Sequence, residues 1–202
     1  DLKEQLVFEM LPRAFVKSRR QYAYIDPKNG WLIVDSGSHS RAEELIVLLR
    51  ESLGSVPVIP VAPKNTAYHT MTHWLQSTAP KGFELGGECE LIDSADESAV
   101  IRCKNQNLQS KEILNHIDSG MLVKKLAMSW ADKVEFLVDE QLTVKRLRFS
   151  DLIMERADEV HTDTAAEQFD VNFSIMNAEL ANFIPALLEA FGGEDTSALE
   201  AA

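Results

Sequence analysis

The chain has 202 residues, of which 45% are hydrophobic and 26% charged, a balance that excludes wholesale disorder and allows one large or two small domains with a sizeable core. Its formal net charge of −12 argues, as a bare sum, against a polyanionic partner, and no apolar run approaches the roughly 20 residues of a membrane-spanning helix. Two cysteines, Cys89 and Cys103, are too few for a disulfide framework and read as reduced thiols of a cytoplasmic protein.

In chain order, Leu2, Leu6 and Met10 fall on one helical face, and Pro12 stops that helix. A helix that starts without a cap suggests that an N-terminal part of the natural protein is lacking. Leu11-Pro12-Arg13-Ala14-Phe15 follows, where Phe15 on its own reads as a core residue covering the helix end. Tyr22 and Tyr24, then Trp31 and Ile33, alternate on either side of Asp26-Pro27-Lys28-Asn29-Gly30, which predicts a hairpin. Ser40, three residues before Glu43, predicts a helix start, with Leu45, Ile46, Leu48, Leu49 and Leu53 as its stripe and Gly54 as its end. Pro57 to Val61 predicts a short edge strand, and Thr70 caps a short helix to Gln76. His69 and His73 have the spacing of a metal pair, yet no third ligand recurs at a matching interval, so no metal is expected.

Pro80, Gly82 and Gly86-Gly87 predict a boundary that opens a second lobe. Cys89 and Leu91, then Val100, Ile101 and Cys103, predict two strands joined through an acidic loop, Asp93 to Glu97. Lys104-Asn105-Gln106-Asn107 reads as a polar turn, and Ser110 caps a helix that ends at Gly120. Met121 to Trp130 is strand-like, and Val134 to Val138 with Leu142 to Phe149 predicts a hairpin. A strict two-residue period sets Val144, Arg146 and Arg148 on one face, with Lys145, Leu147 and Phe149 on the other. Ser150 starts a helix to about residue 157, and Val171, Phe173 and Ile175 predict a short strand. Asn177 caps a final helix, kinked at Pro185 and ended by Gly192-Gly193. The expected class is α+β, with mixed antiparallel sheets and packed helices. Its expected parts are an N-terminal helix and contact segment (1–20), a hairpin-helix lobe (21–79) and a C-terminal α+β lobe (80–202).

Charge is unevenly distributed. Residues 1–100 carry 10 Lys and Arg against 14 Asp and Glu, residues 101–148 carry 9 against 6, and residues 149–202 carry 1 against 12. Arg13, Lys17, Arg19 and Arg20 form one cationic stretch, and Lys124, Lys125, Lys133, Lys145, Arg146 and Arg148 a second. By themselves such clusters are solvated faces. No paired carboxylates, nucleophile with a base, or glycine-rich phosphate loop can be picked out, so neither an enzyme nor a cofactor is expected.

Several segments, in order, carry a more specific signal. Leu11 to Phe15, the hairpin from Ile25-Asp26 through Asn29-Gly30 to Val34-Asp35, Leu48-Leu49-Arg50 to Ser52-Leu53-Gly54, Ile101-Arg102 to Gln106, and Glu179-Leu180-Ala181 with Gly192-Gly193-Glu194 together resemble the bacterial recombination-associated RdgC family. The resemblance implies a nucleoid-associated protein whose protomers form a ring-shaped homodimer, bind double- and single-stranded DNA with little sequence preference, and restrain the RecA recombinase. It assigns Phe15 to a dimer contact. It also sets Asn105 and Gln106 at a DNA-facing finger, with Asn in place of the family's Lys and Lys104 next door. Arg13, Lys17, Arg19, Arg20, Lys104, Asn105, Gln106, Lys124, Lys125, Arg146 and Arg148 are then the expected DNA contacts. The competing expectation is a protein-interaction module that inhibits the recombinase filament directly, with DNA binding incidental. A membrane role is not expected.

Overall fold

Asp26 organises the first hairpin, because its carboxylate accepts the amide N–H groups of Lys28 (3.1 Å) and Asn29 (3.2 Å) and the Asn29 side chain (2.7 Å). Those bonds, the Asn29 side chain foremost, hold the Asp26 carboxyl below its usual range. Gly30 completes the turn at φ +71°, a conformation open to glycine. Strands β1 (Ala23–Asp26) and β2 (Trp31–Val34) pair antiparallel, as the alternation predicts. Before them, helix α1 (Leu2–Met10) runs into a 3-10 turn at Leu11–Arg13, and none of its residues is buried. In this computed structural model residues 2–96 and 98–197 are described, and the chain divides into two compact units between Asp35 and Ser36.

The second unit begins with α2 (His39–Leu53), capped two residues earlier than expected, at Ser38 instead of Ser40, and closed by Gly54 at φ +82°. Its predicted stripe is at most half-buried, and Leu48 and Leu53 are exposed. The expected strand at Pro57 to Val61 does not form, since two prolines remove the N–H groups a ladder needs. Pairing starts only beyond them, where the Lys64 N–H donates to the Gly193 carbonyl and the Asp195 N–H to the Ala62 carbonyl. Helix α3 (Ala67–Gln76) starts a full turn before the predicted cap, at Thr66.

Five antiparallel strands follow in the order β4-β3-β5-β6-β7: β3 (Phe83–Asp93), β4 (Val100–Lys104), β5 (Met121–Trp130), β6 (Val134–Asp139) and β7 (Val144–Phe149). Gly86-Gly87 is no boundary but the middle of β3. There the register slips between Leu85 and Cys89, and Gly86 lies so close to β5 that a Cβ would stand 2.9 Å from that of Ala127. Glu97, the predicted end of the acidic loop, lies outside the described residues. Helix α4 (Lys111–Asp118), starting after Ser110 as expected, links β4 to β5.

Beyond β7 and α5 (Asp151–Asp158), the predicted strand at Val171, Phe173 and Ile175 is instead part of one long helix, α6 (Ala165–Ala190). Its cap is Thr164, whose hydroxyl accepts the Glu167 N–H while Glu167 accepts the Thr164 N–H; Asn177 sits mid-helix. Alternating apolar residues at 171, 173 and 175 satisfied a strand period, but the capping box upstream decides for helix. The helix continues through Pro185.

Helices α3 and α6 cover one face of the sheet. Phe183 packs against Phe136 (4.9 Å between ring centroids) and Trp130 (5.7 Å), and Trp74 meets Phe191 edge-on (4.7 Å). Thr72 joins the layers by accepting the Val123 N–H at 2.9 Å. The other sheet face carries the charged side chains, with the buried Leu137 and Ile92 among them. On β7 the strict alternation breaks: Val144 and Phe149 stand opposite Val138 and Val134 on the helix-covered face, Lys145 and Arg148 opposite Leu137 and Glu135 on the polar one. Arg146 and Leu147 both face Phe136, a β-bulge with Arg146 at φ +51°. Arg148 therefore shares a face with Lys145, not with Val144. Among the described residues no helix is long and apolar enough to cross a membrane.

Replacing Phe183, which is 1% exposed, by alanine should cost about 3–5 kcal/mol in urea unfolding. A cost under about 1 kcal/mol would contradict its place at the centre of the core.

Candidate functional site

The polar face is built by register. Arg102 on β4 stands opposite Glu90 on β3, Glu90 opposite Lys125 on β5, and Lys125 opposite Asp139 on β6. Cationic and anionic side chains thus alternate across four strands, and Lys145 of β7 extends the row to Asp139 at 2.7 Å. Glu90 takes Arg102 Nε at 2.8 Å and Lys125 Nζ at 2.9 Å. Burial works to raise its carboxyl, but the hydrogen bonds from Lys125 and Arg102 outweigh burial and hold it below the usual range. Asp139, also buried, accepts the Gln141 and Thr143 N–H groups, so its turn and its ion pair fix each other.

Next to this row, Glu88 lies on the same face of β3, opposite Lys104, and binds Arg146 of β7 at 2.9 Å. Lys124, the extra residue where β5 slips against β3, pairs with Glu140 at 3.7 Å. Three of the predicted contacts, Lys124, Lys125 and Arg146, are therefore engaged by carboxylates. Lys104 and Arg148 are exposed and hold no ion pair among the described residues. Lys133, from the same basic stretch, is tied to Glu179 of α6 at 2.9 Å. The sequence reading missed Glu88, Glu90 and Asp139 as partners of these cations. Their Glu-x-Glu and turn positions were visible, but the register that brings them beside Arg146, Arg102 and Lys145 was not.

Immediately after β4, Asn105 adopts φ +52° and the Gln106 N–H donates to the Gly87 carbonyl at 3.1 Å. Leu108, 2% exposed, pins this turn, and the Gln109 side chain donates to the Ser77 carbonyl. Lys104, Asn105 and Gln106 therefore stand exposed on a fixed support, beside a cleft of about 350 Å³ lined by residues 85–87 and 106–109. Cys89 and Cys103 face each other across β3 and β4 as free thiols; burial first, then the Cys103 thiol, pushes Cys89 up to about 12. Among the described residues no three or more His, Cys, Asp or Glu side chains are grouped to hold a metal ion.

In the first unit, Arg13 ends the 3-10 turn, and Lys17, Arg19 and Arg20 lie in the irregular stretch before β1. All four are exposed, and none holds an ion pair among the described residues. Phe15 is fully exposed, next to an exposed Val16 and an exposed Leu11, contrary to a core role.

Comparison with known proteins gives this arrangement a family. A family model described as "Putative exonuclease, RdgC" matches residues 1–194. The recombination-associated protein RdgC of Psychromonas ingrahamii is 42% identical over 196 residues, covering 96% of this chain and 65% of that protein. The Aeromonas hydrophila protein of the same name is 42% identical over 197 residues, with 97% and 65% covered. The Pseudomonas aeruginosa one is 43% identical over 195 residues, with 96% and 64% covered. The chain thus spans about 65% of the length of the curated relatives it matches. By a match that runs from its first residue to residue 194, the chain belongs to the RdgC family.

Proposed function

We propose that this chain binds the phosphate backbone of DNA, double- and single-stranded, without reading its sequence, through the polar face of the five-stranded sheet. The observation that carries the reading is the gathering of Arg102, Lys104, Lys125, Lys145, Arg146 and Arg148 from three strands onto that one face. The fixed Lys104-Asn105-Gln106 turn extends it at the β4 end. Backbone contact by such side chains works by counterion release and needs no base-edge recognition. Lysine, arginine and amide groups suit phosphate oxygens. The exposed cations of residues 13–20, in the first unit, are a further set of groups suited to phosphate.

The relatives' name associates them with recombination, and the role extended here is that of a nucleoid protein that occludes DNA and so restrains the RecA recombinase. In that arrangement two protomers close a ring, with residues 1–20 as contact segment and residues 21–79 and 80–202 as lobes. Phe15 supports it physically: a large aromatic side chain left wholly in water is a natural anchor for a partner surface. Net acidity is compatible with the reading, since much of the surplus lies after residue 149, where 12 Asp and Glu stand against 1 Arg, while on the sheet Lys104 and Arg148 hold no ion pair among the described residues.

Binding to a fluorescent duplex should fall steeply with salt, log K dropping with log[salt] at about 0.9 per phosphate neutralised. Binding that is insensitive to salt would contradict a backbone interface. Phe15→Ala should weaken self-association about tenfold or more in sedimentation velocity, and an unchanged monomer–dimer balance would remove Phe15 as an anchor.

A further inference from the structure

Glu88 occupies a position that stability does not explain. In the sheet order, β3 and β7 are separated by β5 and β6, so the Arg146–Glu88 pair spans the polar face instead of joining neighbours. Its side chains are 54% and 28% exposed, and ion pairs that open to water add little to folding. The bulge at Arg146 aims that side chain out of the ordinary strand alternation at the expense of a left-handed backbone. On the far side of Glu88 stands Lys104, its register partner, exposed and without an ion pair among the described residues. One carboxylate therefore lies between two cations, one held by it and one left open.

We propose that Glu88 is a built-in stand-in for phosphate: its carboxylate occupies the place that a phosphodiester of the nucleic-acid backbone takes between Arg146 and Lys104, and binding proceeds by exchange of one for the other. The inference rests on the backbone-binding reading above and adds a control of affinity to it. Carboxylate and phosphodiester each present one negative charge and paired oxygen acceptors, which a guanidinium takes in the same forked geometry. Until exchange, Glu88 keeps Arg146 extended over the sheet, ordered and neutralised. A lone nucleotide offers few further contacts to offset the lost pair. A continuous backbone offers neighbouring phosphates to Arg102, Lys125 and Arg148 at once, so exchange favours polymer over monomer. Glu90 is a different case, because it is buried and serves two cations, which makes it a support for Arg102 and Lys125.

The test is fluorescence anisotropy of the 202-residue chain with a labelled duplex of about 30 base pairs, over a potassium chloride series from roughly 25 to 300 mM. Glu88→Gln keeps the shape and removes the charge; it should bind about three- to fivefold tighter at each salt concentration, the range one exposed ion pair can supply. The slope of log K against log[salt] should stay unchanged, because the same phosphates are contacted. Arg146→Gln should weaken binding and flatten that slope by about 0.9, and in its background the gain from Glu88→Gln should vanish. Glu189→Gln on α6 serves as the control for mere net charge, and circular dichroism checks that every variant is folded. The exchange is overturned if Glu88→Gln gains no more than Glu189→Gln, or if its gain survives Arg146→Gln, while the parent chain still binds. If neither the parent nor any variant binds at the lowest salt, the backbone-binding reading falls with it; binding that appears only in Glu88→Gln supports the exchange.

Discussion

Glu90 is the residue on which the second unit's polar face depends. A single carboxylate, nearly buried, accepts an arginine from one neighbouring strand and a lysine from the other, and so ties β4 to β5 across β3. Without those two partners a buried charge at this position would be costly. With them, it fixes where Arg102 and Lys125 stand. The opposite face obeys the other constraint of a half-covered sheet, presenting Cys89, Leu91, Val123, Leu126 and Phe136 to the helical layer. The same strand period therefore delivers a packed core on one side and an ordered array of charges on the other.

On the proposed reading, that array reconciles a chain of net charge −12 with a polyanionic ligand. Net charge governs long-range attraction, which salt screens over about 8–10 Å. Local pairing governs what a phosphate meets on arrival. On the proposed reading it meets cations already oriented by carboxylates, a preorganised surface that gives up ion pairs with water-exposed ends in exchange for contacts along a continuous backbone. Such a surface binds polymers and holds small anions poorly. The exposed cations of residues 13–20 and the exposed Phe15 supply the other ingredients of that reading, an irregular cationic stretch and an apolar anchor.

Much of this was legible in the sequence, and the failures have common physical causes. The hairpin around Asp26 to Gly30, the helix after Ser110 and the strands β4 to β7 were marked by turn chemistry and periodicity within a few residues of their positions, whereas the first half of β3, with Gly86-Gly87 in it, was read as a boundary. The strand read at Pro57 to Val61 does not form: Pro57 and Pro60 lack the N–H groups of a ladder, and the Val58 N–H turns back to the Val56 carbonyl. Residues 171 to 175 alternate like a strand, and only the Thr164–Glu167 box, which opens one continuous helix upstream of Val171, decides otherwise. The bulge at Arg146 needed a partner strand to be seen at all, and it inverted the expected grouping of Arg146 and Arg148 with Val144. Basic residues were found because they cluster in sequence. Their carboxylate partners were not, because cross-strand register is a long-range property that no local pattern encodes.

The most direct test of the claim that the polar sheet face meets the backbone is a side-chain experiment on the arginines themselves. Proton–nitrogen correlation spectra of the arginine Nε–Hε groups, recorded as a short duplex is added, report each guanidinium separately. The account predicts that Arg102, Arg146 and Arg148 shift together and saturate, while Arg156 of α5 and Arg50, which is bonded to the Val58 carbonyl, stay in place. Saturable shifts at Arg50 or Arg156 with the three sheet arginines unmoved would contradict it.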